Sequence, residues 1–128
     1  ALVAADEILI PVQAEYFALE GLGQLFETIN LVKEHLKPSL NVLGAVITMF
    51  DSRNKLSEAV LTELYKFFPN KIFRTVIPRN VRVSEAPSFG LPAIVYDMKS
   101  PGAEAYIHLA SEVLKRERQI LKEASAAA

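Results

Sequence analysis

Three short apolar runs constrain this chain more than any other feature: Glu7–Val12 (EILIPV), Val42–Phe50 (VLGAVITMF) and Lys71–Ile77 (KIFRTVI). Continuous runs of this kind, rich in β-branched residues, are the pattern of strands buried on both faces of a parallel sheet. Between the first two, Leu19, Leu22, Phe26, Ile29, Val32 and Leu36 recur at three- and four-residue spacings, which predicts an amphipathic helix over about Tyr16–Leu36. Lys33, His35 and Lys37 suit the negative pole of its dipole, and Pro38 stops it. A second helix, about Asn54 to Phe68, puts Leu56, Val60, Leu64 and Phe67 on one face before Pro69. Strands joined by helices imply parallel pairing with right-handed crossovers. The expected class is α/β, with a Rossmann-like parallel sheet flanked by helices.

Thr75, Val76 and Ile77 read as the end of the third strand, because Pro78 has no N–H to continue a ladder. In open α/β sheets ligands lie just outside the carboxyl ends of the strands, so the loop from Pro78 onward is where function is expected. Further on, Ser84–Phe89 is expected to form a turn of helix and Ala93–Tyr96 a short extended piece. Ser100-Pro101 makes an N-cap with proline at the first helical position. That last helix, with Tyr106, Leu109, Val113 and Ile120 among its apolar positions, is expected to run to about Leu121. Residues 1–122 read as one unit and 123–128 as a frayed tail.

The chain has 128 residues, no cysteine and a net charge of −1. The missing cysteine excludes a disulfide framework and any thiolate metal site, and is compatible with a reducing cytoplasm. No apolar run approaches the roughly 20 residues that span a bilayer, and no signal peptide is visible. His35 and His108 stand alone, and no Ser-His-Asp set, paired-carboxylate site or zinc spacing can be built. No catalytic residue and no metal ligand set is therefore expected here. Three doubly buried strands make a poor complete sheet with an open apolar edge. The rest of the sheet is expected from sequence outside this chain or from another chain.

Four segments together resemble one family closely. They are IPRNVRVSEAPSFG at Ile77–Gly90, PVQAEYFALEGL at Pro11–Leu22, ITMFDSR at Ile47–Arg53, and YD…SPGAEAY at Tyr96–Tyr106. They are similar to the carboxyl-terminal half of the ParA/Soj chromosome- and plasmid-partitioning ATPases, deviant Walker members of the P-loop class. A P-loop needs a Gly-rich turn followed by Lys and Ser/Thr. The five glycines here (Gly21, Gly23, Gly44, Gly90, Gly102) are scattered and none has that context. The resemblance thus implies that the phosphate loop, the magnesium ligands and the attacking-water site lie in an amino-terminal half not included, and that this half alone is inactive.

The resemblance also implies roles. Thr48, Met49 and Asp51 would line one side of an adenine pocket of ATP, and Pro78, Arg79, Asn80 and Val81 the other. Met49 and Pro78 can form an apolar slot for a purine while Asn80 reads its edge; alternatively, Asp51 caps the next helix and Asn80 stabilises a turn. From Lys71 to Ser84 there are four cations and no acid, an electrostatic footprint in a chain of this net charge. In the family, arginines matching Arg53 and Arg82 are implicated in non-specific DNA binding; Lys71 and Arg74 are candidate helpers, and a parallel arrangement is expected to bring Arg53 and Lys55 to the same edge. The alternative is a solvated face in which Arg82 pairs with Glu85. Glu85 is expected to be structural, and Gln13, Glu15 and Tyr16 to lie near the face where ATP-bound protomers meet. The implied protein binds Mg-ATP, forms a homodimer, coats nucleoid DNA in the cytoplasm without a membrane, and answers to a ParB-like partner. Two other readings stand beside it: a MinD-like division-site ATPase, and a free-standing, nucleotide-free interaction module.

Overall fold

A computed structural model describes residues 1–15 and 17–127. The order of elements is β1 (Glu7–Gln13), α1 (Ala18–His35), β2 (Asn41–Thr48), α2 (Lys55–Phe67), α3 (Val81–Glu85), a 3₁₀ turn (Ala86–Phe89), α4 (Ala93–Tyr96) and α5 (Pro101–Ala127). β1 and β2 are parallel and in register from Glu7–Asn41 to Gln13–Thr48. Ile8 pairs with Val42 and Leu9 with Gly44, so Leu43 is an extra residue. That bulge lets Leu43 and Val46 share one face of the sheet while Ala45 and Ile47 occupy the other.

The core accordingly has two layers. On one face Ile10, Val12, Ala45 and Ile47 meet Leu22 and Ile29 of α1 and Val60 and Leu64 of α2. Phe26 of α1 stacks on Phe67 and tilts onto Phe68 at centroid distances of 6.0 and 4.8 Å, joining the two helices. On the other face Leu43 and Val46 meet Phe73, Ile77, Ala105 and Leu109. Helices on both faces of a parallel sheet are the doubly wound α/β arrangement. β2 is buried on both faces, as expected. β1 is not: Ile10 and Val12 are buried, but Leu9, Pro11 and Gln13 are exposed. The reason is that α5 covers β2 and the segment beyond it, with no β1 side chain in that layer.

The expected third strand, Lys71–Ile77, also departs from a regular ladder. It runs parallel to β2 through two separated contact points. Ala45 N–H donates to the Lys71 carbonyl and Phe73 N–H to the Ala45 carbonyl, both at 2.9 Å; Ile77 N–H then donates to the Ile47 carbonyl at 2.9 Å. Four residue steps on this segment thus span two on β2, and the intervening residues arch outward. Two of their amides find a side-chain partner: Arg74 N–H donates to Glu112 Oε2 at 2.9 Å and Thr75 N–H to Oε1 at 2.7 Å. The Thr75 hydroxyl donates to the same carboxylate. A side chain of α5 therefore takes the place of a strand partner, which a run of apolar letters cannot reveal.

Burial works against the charge on Glu112, but the Thr75 hydroxyl, the Arg74 and Thr75 amides and the Arg116 guanidinium outweigh it and hold the carboxyl below the usual range. Because the folded value is depressed, the stabilisation is complete above the ordinary glutamate value and is lost as pH falls through the folded one. Glu112→Gln is accordingly expected to flatten the acid side of a stability-versus-pH curve. Equal acid sensitivity of the two proteins in thermal melts would refute this role.

Helix ends follow their local chemistry. Asn54 Oδ1 accepts from Leu56 N–H at 2.9 Å and caps α2. Ser100 Oγ accepts from Ala103 N–H at 3.2 Å, with Pro101 opening α5. α5 continues past the expected end near Leu121 to Ala127; Ala128 lies outside the described residues. Ala93–Tyr96 is a turn of helix rather than extended, because Pro92 sets the entry and its carbonyl accepts from Val95 and Tyr96 N–H at 3.0 and 2.9 Å. Arg116 of α5 ties that helix to the sheet. Its Nη1 donates to the Leu43 and Lys71 carbonyls at 2.9 and 3.2 Å and its Nη2 to Ile72 at 2.9 Å, while the guanidinium lies 3.8 Å from the Phe73 ring centroid. Gly44 makes the room, since a Cβ there would collide with Arg116 Nη1 and the Lys71 carbonyl.

Candidate functional site

β2 ends at Thr48, and Met49 then takes the left-handed conformation with φ of 53°. For a residue with a side chain this is uncommon and costs on the order of 1–3 kcal/mol, a strain that concentrates at functional sites. It turns the chain so that Phe50 N–H donates to the Ile77 carbonyl at 3.0 Å and Arg79 N–H to the Phe50 carbonyl at 3.1 Å. The loops after β2 and after Ile77 are thereby locked side by side.

Between them opens a cleft of about 360 Å³. Met49, Pro78, Val83 and Tyr106 give it apolar walls, and Thr48, Arg79, Asn80 and Ser84 give it polar groups. Of the residues expected from sequence, Thr48, Met49, Pro78, Arg79 and Asn80 are brought together here. Asp51 and Val81 are not part of the lining. Asp51 Oδ1 accepts from the Arg53 N–H and Nε at 3.0 and 3.2 Å. The Arg53 hydrogen bonds hold its carboxyl below the usual range. It does not cap α2, a role that falls to Asn54. Val81 begins α3 and is 70% exposed.

Asn80 does two things at once. Its Oδ1 accepts from Arg82 and Val83 N–H at 3.0 and 3.3 Å, which caps α3. The amide nitrogen of the same side chain remains a donor at the cleft. Gly102 lets the start of α5 close behind this loop, since a Cβ there would meet Val83 Cγ2 and sit 3.2 Å from Asn80 Cβ. An apolar slot rimmed by polar side chains suits a flat heteroaromatic base.

The cations do not form one patch. Arg53, whose side chain is 89% exposed, and Arg79, 3.7 Å from Glu15, lie at the edge that carries the cleft. Lys71 is at the other end of β2, where its Nζ donates to the Val42 carbonyl at 3.0 Å. Arg74 sits in the arch opposite Glu112. Arg82 is paired, with Nη1 3.3 Å from Glu85 and Nε 3.5 Å from Asp97. Tyr96 OH donates to Glu85 Oε2 at 2.7 Å, and its ring stacks on Phe89 at 4.9 Å. That bond, then burial, raises the Tyr96 phenol above its usual value although Arg82 opposes it. Glu85 thus knits α3 to α4. Gln13 and Glu15 lie at the end of β1, and Tyr16 lies outside the described residues. Among the described residues no group of three or more His, Cys, Asp or Glu could hold a metal, and no helix is long and apolar enough to cross a membrane.

Sequence reasoning missed Tyr106, Val83, Ser84 and Pro11 as cleft residues. Tyr106 was visible only as one of several apolar positions on α5, and nothing local distinguishes a cleft wall from core.

Residues 1–42 match a family model described as an AAA domain. The chromosome partitioning protein ParA of Caulobacter vibrioides (strain NA1000 / CB15N) is 53% identical over 118 residues, covering 92% of this chain and 44% of the relative. The sporulation initiation inhibitor protein Soj of Bacillus subtilis (strain 168) is 54% identical over 113 residues, 88% of this chain and 45% of the relative. Among solved structures, cobyrinic acid a,c-diamide synthase from Mycobacterium smegmatis, with bound ADP and magnesium, matches with a TM-score of 0.69 and 31% identity. That match covers 91% of this chain and 40% of the other. The chain spans less than half the length of the curated relatives it matches.

Proposed function

Because the chain belongs to the ParA/Soj family of chromosome-partitioning P-loop ATPases, we propose that it is the base-binding and DNA-facing part of an ATP-dependent DNA-partitioning protein. The observation that carries this is the cleft at the carboxyl ends of β2 and the segment after it. Adenine would lie between Met49 and Pro78, with the Asn80 amide nitrogen donating to a ring nitrogen and Thr48 at the rim. The fit is to the base. The triphosphate and Mg²⁺ need a Gly-rich loop and hard oxygen ligands, which we assign to sequence outside this chain. When bound, the nucleotide supplies the phosphoanhydride whose hydrolysis would reset the cycle.

In the complete protein, ATP would close a homodimer, and the dimer would hold nucleoid DNA non-specifically through Arg53 and Arg82. A ParB-like partner would stimulate hydrolysis and release. Phosphate-driven binding of this kind weakens linearly, on logarithmic scales, as salt rises. Lys71, at the far end of the sheet, and Arg74, in the arch, would add only to the general field.

Asn80→Asp tests the cleft. It keeps the side-chain oxygen that caps α3 but replaces the donor with an acceptor facing the purine. Affinity of the full-length protein for a fluorescent ATP analogue is expected to fall about tenfold or more with little change in thermal stability. Asn80→Ala should lose affinity and also about 1 kcal/mol of stability with the cap. Wild-type affinity in Asn80→Asp would rule out Asn80 as the base-reading group.

A further inference from the structure

We propose that Glu85 and Asp97 act as built-in competitors for Arg82 and keep its contribution to DNA binding weak and readily reversible. This inference rests on the reading of Arg82 as a DNA contact. Arg82 Nη1 is 3.3 Å from Glu85 and Nε 3.5 Å from Asp97, so one positive group faces two negative ones and the local sum is negative. A phosphate can use Arg82 only against two carboxylates, or after the side chain has swung away from them.

The Glu85 carboxylate is held in place independently of the arginine, and Asp97 is anchored by its backbone. Glu85 is fixed by the Tyr96 hydroxyl at 2.7 Å, and Tyr96 by its stack on Phe89. The backbone of Asp97 is anchored where α5 begins, its carbonyl accepting from the Ser100 hydroxyl at 2.9 Å and the Ser100 N–H at 3.2 Å. Arg53 provides the contrast: among the described residues its one acid partner is Asp51, and its side chain is 89% exposed. The two arginines assigned to DNA therefore differ in kind. Arg53 is open to a polyanion, and Arg82 is already answered by fixed anions.

Asp97→Asn removes one competitor and leaves the backbone anchor of α5 intact; Glu85→Gln keeps an acceptor for Tyr96. Surface ion pairs of this exposure are weak, so each neutralisation is expected to tighten binding about threefold, and the pair together about tenfold. The assay is fluorescence anisotropy of a labelled random-sequence duplex with full-length, ATP-bound protein over a potassium chloride series. A salt slope steeper by about one is expected as Arg82 takes up a phosphate. The tightening must disappear when Asp97→Asn is combined with Arg82→Gln. Wild-type affinity in both neutralised variants, or tightening that persists without Arg82, overturns the proposal. If Arg82→Gln alone leaves affinity and slope unchanged, the DNA role of Arg82 falls and the proposal falls with it. If Arg82→Gln weakens binding but neither neutralisation tightens it, only the competitor role is lost.

Discussion

Replacing Gly44 with alanine is expected to lower stability by about 3–4 kcal/mol, a large effect for a single methyl group. The added carbon would strike the Arg116 guanidinium and the Lys71 carbonyl, and the Phe73 ring stands 2.9 Å away. A flexible side-chain tip could yield, but the carbonyl belongs to backbone already bonded to Ala45 N–H at 2.9 Å. Arg116 would have to leave its seat, and the Leu43 and Ile72 carbonyls would lose charged donors. Burial already lowers the Arg116 pKa against the attraction of Glu112, so its three backbone acceptors and the Phe73 face are what make the site tolerable. In thermal melts of the full-length protein the midpoint should fall by roughly 10 °C. Gly23→Ala is the matched control. Nothing lies within 4 Å of a Cβ at Gly23, and alanine in the interior of α1 is expected to stabilise by about 0.5–1 kcal/mol. A melt unchanged by Gly44→Ala would mean that α5 is not held to the sheet through Arg116.

The second large effect concerns DNA. Reversing the charge at both Arg53 and Arg82 in the complete protein is expected to abolish DNA binding while ATP-dependent dimerisation survives. Each reversal replaces an attraction to phosphate with a repulsion. At Arg82 the new glutamate would also join Glu85 and Asp97 in a triad of acids. Losing the phosphate contact of Arg53 and the weaker one of Arg82 should flatten the salt dependence by about one unit of logarithmic slope or somewhat more in whatever binding remains. Arg53 and Arg82 are exposed and neither belongs to the buried core, so the fold should tolerate both changes. Gel shift and size-exclusion chromatography with a non-hydrolysed ATP analogue separate the two properties. Unchanged DNA affinity in the double variant would sink the assignment, and joint loss of dimerisation would place these arginines at the protomer interface instead.

Much of the fold was legible because its signals are local. The spacing of Leu22, Ile29 and Val32 marked α1, Asn54 and Ser100-Pro101 marked helix starts, and the run from Leu43 to Ile47 marked a strand buried on both faces. Two of the departures share a cause, which is contact between residues distant in sequence. Nothing within KIFRTVI says that Glu112 will take two of its amides and arch the backbone. Nothing within EILIPV says that α5 will stop short of it and leave Leu9 and Pro11 exposed. Ala93–Tyr96 misled in another way, since its β-branched residues favoured an extended piece while the preceding proline set a helical turn.

Thr48, Met49, Pro78, Arg79 and Asn80 sit where two chain segments leave the sheet, and topology alone places those together. Asp51 stands outside the lining, its carboxylate held by Arg53 two residues on. Tyr106 was hidden by the helix period that makes it resemble a core residue.

The most direct test of the account is to photolabel the full-length protein with 8-azido-ATP and map the modified peptides by mass spectrometry. The azide rides on the base, so label is expected within 48–50, within 78–84 or at Tyr106, and excess ATP should suppress it. Suppressible label confined to other peptides would contradict the assignment of the base pocket to this cleft.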